Sequence, residues 1–140
     1  MSLTVLAAQG AINRKLGPYA ALVHLPEELA WAARHPLIGL TPLDPMTVTD
    51  NDIAGLDNVN LFLDIAEWKA SEAVLPNLTD EQLRQIGVLG SAEKVRPSWE
   101  RRVKRLYEAL RDQYGFGQMP LDIQVVNMNF ASNSDDNNWM

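Results

Sequence analysis

Two histidines, His24 and His35, are the only imidazoles in the 140-residue chain, and the imidazole is the side chain best suited to proton transfer at neutral pH. Each stands beside apolar residues or proline. Neither belongs to a metal-ligand spacing such as H-x-x-x-H, so both read as structural or surface residues. The carboxylate pairs Glu27/Glu28 and Asp50/Asp52 fall where helices start and where acids complement the helix dipole. Nothing in their surroundings predicts a buried pocket that would separate their pKa values into an acid and a base. The chain has no G-x-G-x-x-G, P-loop or G-x-S-x-G pattern. Zero cysteines exclude disulfides, thiol nucleophiles and thiolate metal sites. The sequence therefore predicts no enzyme: no catalytic residue, no cofactor and no metal.

What remains is contact chemistry, at two places. Between Glu93 and Asp112 lie seven bases against four acids, so this stretch is +3 while the rest of the chain, within a total of −6, sums to −9. Arg101, Arg102 and Arg105, with Lys104, flank an apolar stripe and are candidates to contact an acidic protein surface or phosphates. The interspersed Glu100, Glu108 and Asp112 equally permit a solvated face laced by local ion pairs. An acidic total weighs against general nucleic-acid binding.

The second place is the C-terminus. Leu121, Ile123 and Val125 alternate with polar residues, and then Val126, Met128 and Phe130 alternate in the opposite phase. A one-residue phase change flips the apolar face of a strand, so a bulge or a change of partner is expected there. No other run has comparable strand character. The backbone edges of this segment must then find water, another chain, its own helices or a short strand in the N-terminal loops. An Asn/Asp-rich tail follows and ends in Trp139 and Met140. A terminal Trp is a candidate anchor in a partner's pocket.

The elements that position these residues are well punctuated. A helix is predicted from about Leu3 to Leu16, stopped by Gly17-Pro18. A second starts at Pro26-Glu27-Glu28 and ends before Pro36. Residues 36–50 carry three prolines and read as an ordered loop, long enough to be a binding element. The central helix is predicted from about Asn58 to Leu75, with Leu61, Ile65, Trp68, Glu72 and Leu75 on one stripe flanked by Phe62, Ala66 and Ala73 and by Leu63, Ala70 and Val74, a wide apolar surface that suits the spine of the core. Thr79 and Gln82 predict a capping box for a short helix carrying Leu83 and Ile86. A last helix from about Pro97 or Ser98 carries Trp99, Val103, Leu106, Leu110 and Tyr114 on a narrow stripe, and Gly115 and Gly117 close it. The expected fold is mainly α: one helical domain over 1–118, a small bundle with a long Pro-rich N-terminal loop, followed by an extended, β-like arm over 119–140. At 46% hydrophobic the chain can fill one core, and two domains would each be too small. No run reaches the ~18 apolar residues of a membrane span, and the N-terminus lacks the order of a secretory signal.

Two resemblances add to this reading. The acidic helix start Thr49-Asp50-Asn51-Asp52-Ile53, the break after it and the helix Leu61-x-x-x-Ile65-Ala66-x-x-x-Ala70 resemble the opening of tailed-phage head–tail connector (adaptor, or neck) proteins. A later charged helix and an extended C-terminal arm extend the similarity. That resemblance implies a small helical subunit in a homo-oligomeric ring beneath the portal, with arms that dock on portal, neck or tail components, and location in the virion after assembly in the host cytoplasm. The segment 75–90, with Thr79-Asp80-Glu81-Gln82-Leu83 and Ile86-Gly87-Val88, is similar to the centre of sterile alpha motif domains. It implies the alternative of a helical interaction module in a cellular, cytoplasmic regulator. On either reading the expectation is a non-enzymatic protein with protein partners, no membrane and no specific nucleic-acid binding.

Overall fold

Local capping decides where most helices begin. The structure, a computed structural model, describes residues 2–116; the predicted arm, with Ile123, Val125, Val126, Met128, Phe130 and Trp139, lies outside the described residues. Thr4 accepts the Ala7 N–H at 3.1 Å and starts α1, Val5–Leu16, two residues later than predicted. A 3-10 helix, Gly17–Leu22, leads to α2, Leu25–Arg34, with Pro26 in its first turn and Glu27 and Glu28 at its positive end. From His35 the chain runs through turns and bends until Thr49 caps the single turn α3, Asp50–Ile53. Asn58 accepts the Leu61 N–H at 3.0 Å and starts α4, Val59–Val74. A 3-10 turn, Leu75–Asn77, leads to α5, Asp80–Gln85, and α6 closes the described chain at Ala92–Tyr114. Among the described residues there are six α-helices and no strand.

Helix α4 runs through the middle, packed by α1, α2 and α6. Its deepest row is Phe62, Ala66, Ala70 and Val74, joined by Ile65, all fully buried. The predicted stripe is rotated from this: Leu61 and Ile65 are inside, whereas Trp68, Glu72 and Leu75 are only partly covered. The cause is helix approach. Ala66 and Ala70 on α4 face an α2 whose Ala30, Ala32 and Ala33 are also fully buried, and small side chains let two helices close to short interaxial distance. Helix α1 adds Ala8, Ile12 and Leu16, one row at i, i+4 and i+8, while its Leu6 stays exposed.

One predicted capping box and one predicted helix start are corrected, while Thr79 caps α5 as expected. The capping box forms not at Thr79/Gln82 but at Thr49/Asp52. Thr79 accepts the Gln82 N–H at 3.1 Å, which is half a box, whereas the Asp52 carboxylate also takes the Thr49 N–H back at 2.7 Å. Helix α6 begins at Ala92, so Pro97, predicted as its first residue, lies inside it. Lacking an N–H, Pro97 leaves the exposed Glu93 carbonyl to solvent. What starts the helix early is Asp80, whose carboxylate accepts the Ala92 N–H at 2.7 Å.

Candidate functional site

The basic helix sorts its cations. Arg96 and Arg102 turn inward. The Arg96 guanidinium donates to the carbonyls of Leu75 (3.0 Å) and Leu78 (2.9 Å), serving the backbone that follows α4. Arg102, one of the candidate contact residues, pairs with the buried Glu67 carboxylate at 3.2 Å, donates to the Lys15 carbonyl at 2.8 Å and lies 4.8 Å above the Trp99 ring. Lys15 also reaches Glu67, at 3.5 Å. The indole N–H of Trp99 donates to the Ser71 carbonyl at 2.7 Å. That carbonyl is available because the Leu75 N–H goes to Glu72, three residues back, where α4 tightens. Arg102 is thus a clamp between α1, α4 and α6.

The other two candidates, Arg101 and Arg105, point outward with Lys94 and Lys104. Arg101 and Arg105 lie one turn apart on the same face, and no carboxylate is within ion-pair distance of any of these four cations among the described residues. Glu100 and Glu108, each one turn from Lys104, leave it unpaired.

A second surface lies across the molecule's aromatic seam. His35 at the end of α2, Trp68 from α4 and Tyr107 from α6 gather round Phe116, with Trp31 of α2 behind His35 and Trp68. Phe116 stacks on His35 with ring centroids 4.5 Å apart at 15°, and meets Trp68 and Tyr107 edge-on at 5.2 and 5.6 Å. The close of α6 aims it there. Gly115 adopts the left-handed conformation, φ 72°, and the Phe116 N–H returns to the Leu110 carbonyl, folding the chain back onto the bundle.

Beside this seam, Trp31, His35, Pro36, Pro45, Met46 and Lys69 border an open groove of about 500 Å³. Lys69 sits 4.6 Å over Trp31 and pairs with Glu72 at 3.1 Å. Glu28, also on the groove, has its carboxyl pKa raised by burial against the opposing pull of Lys69. His35 has its pKa lowered by burial, and its Nδ1 accepts the Leu37 N–H at 3.2 Å, which requires that nitrogen to be unprotonated. Such an arrangement suits apolar and aromatic contact, with charges at the rim.

Sequence reasoning singled out neither the groove nor the Glu67–Ser71 pair. The pair did leave a signal: two polar residues at i, i+4 within the mostly apolar sector of a central helix, a position that needs a buried donor. Of the groove's walls the sequence marked only the loop 36–50 as a binding element, because the rest of the groove comes from α2 and α4. No family model, no curated protein and no solved structure gave a significant match to this chain.

Proposed function

We propose that this chain is a structural subunit of a multi-protein assembly and that the outer face of α6 docks on an acidic protein surface. Four exposed cations on a molecule of net charge −6, without carboxylate partners among the described residues while Arg96 and Arg102 are consumed inside, carry the reading. A cationic face of this kind steers association with an oppositely charged partner and fixes its orientation. The specific form is a tailed-phage head–tail connector, a ring beneath the portal whose subunits engage neighbours through the C-terminal arm and the terminal Trp139. The layout of the acidic start of α3, the amphipathic α4 and the charged α6 supports it.

The experiment is complementation. In a phage that encodes the chain, deletion of its gene should yield DNA-filled heads without tails, and the purified protein should restore tailed particles with a fixed copy number per portal. Infectious tailed particles from the deletion overturn the connector reading.

A further inference from the structure

We infer that the groove between α2, the Pro-rich loop and α4 is the resting dock of this chain's own C-terminal segment, with Leu121, Ile123 and Val125 against Trp31, Pro45 and Met46. Connectivity is the first reason. The described chain ends at Phe116, which stacks on His35, and His35 is itself a wall of the groove. The step from Phe116 to His35 is 4.5 Å and from His35 to Trp31 is 5.7 Å, centroid to centroid. Five further residues in extended form reach about 17 Å, so Leu121 can cross that span. A tether this short places the segment at an effective concentration of roughly millimolar or more, which favours docking within one chain over capture of another.

The surface chemistry agrees. Trp31 and Met46, both walls of the groove, are 37% and 52% exposed. Exposed large apolar residues side by side mark a surface that another segment covers. In extended form Leu121, Ile123 and Val125 would fall on one face, at the two-residue period that a shallow apolar groove can accept.

A buried donor gives an independent pointer. The indole N–H of Trp68, in edge contact with Phe116, has no hydrogen-bond partner, the one such side-chain atom among the described residues. Buried indole donors normally find an acceptor. The carbonyls of the residues that follow Phe116 are those that connectivity delivers to this ring.

The phase change at Val125–Val126 acquires a purpose on this basis. One apolar face, Leu121 to Val125, closes on the chain's own groove, and the other, Val126, Met128 and Phe130, is left for an assembly partner. The inference goes beyond the connector reading and is read on the isolated protein, so either can fail alone.

The test uses the full chain. Ile123→Asp/Val125→Asp should move the indole N–H resonances of Trp31 and Trp68 in the proton–nitrogen spectrum, leave that of Trp99 in place, and lower hydrogen-exchange protection of residues 121–125. Met128→Asp/Phe130→Asp should leave both indoles unmoved. If Ile123→Asp/Val125→Asp leaves Trp31 and Trp68 where they are, or if only Met128→Asp/Phe130→Asp moves them, the inference is overturned. Contacts between Ile123 and Trp31 seen only between differently labelled copies, and lost on dilution, would assign the groove to a second molecule and overturn it too.

Discussion

Arg102 and Arg105 are three residues apart on one helix and do different work. Arg102 holds Glu67, which is 8% exposed and whose other cation, Lys15, stands farther off at 3.5 Å. Arg102→Ala is therefore expected to destabilise the fold by on the order of 2–3 kcal/mol, because it strands a buried carboxylate with only Lys15 to answer it. Arg105→Ala should stay within about 0.5 kcal/mol, as an exposed site does. Urea unfolding of the two variants checks the contrast, and equal midpoints would place Arg102 in solvent. His35 supplies a pH dependence. Its pKa is lowered from 6.5 in the folded chain, so between those two values the unfolded chain binds more protons. The stability it contributes is complete above about pH 6.5 and is lost as pH falls toward the folded value, when a proton on Nδ1 also ends the bond from Leu37. His35→Gln should flatten the slope of stability against pH in that window. A slope that persists there would show that His35 is not its source.

Helices α1 and α6 each have their first N–H held from elsewhere in the chain. Asp50, the first residue of α3, accepts the Val5 N–H at 2.7 Å, and Asp80, the first residue of α5, accepts the Ala92 N–H at 2.7 Å. Two short helices thus lend a carboxylate across a gap to the starts of the two outer helices, where an anion also meets the positive end of the dipole. Asp50→Ala and Asp80→Ala should each cost about 1 kcal/mol. In Asp80→Ala the loss should appear as faster exchange of amides in residues 92–96, with α5 otherwise retained; unchanged exchange there would mean that Asp80 does not hold the start of α6. The interior of α4 sets a larger scale. Phe62→Ala is expected to cost about 3–5 kcal/mol, since Phe62 is fully buried, and calorimetry of that variant checks that α4 is the spine of the bundle.

At the scale of the whole molecule the charge is two-sided, and its outer half is the part available to a partner. Arg101→Glu/Arg105→Glu should leave thermal unfolding nearly unchanged while weakening assembly and reducing its dependence on salt, as removal of exposed steering charges does. Equal assembly of parent and variant at low and high salt would return α6 to the role of a solvated face. The sequence determined the helical class, the approximate extents of the helices and the narrow stripe of α6, because proline and glycine punctuation, caps and the 3.6-residue period act within a few residues of one another. It also marked α4 as central, from the width of its apolar sector. Tertiary structure alone decided what depends on residues far apart in the chain. Asp80, twelve residues upstream, moved the start of α6 ahead of Pro97. Glu67 turned Arg102 from an apparent surface cation into an internal clamp, and the alanine contact with α2 rotated the buried face of α4. The aromatic seam beside the groove forms because Gly115 folds Phe116 back onto His35, Trp68 and Tyr107. A hydrophobic pattern states that a side chain will be covered, and only the packing of one helix on another determines by what.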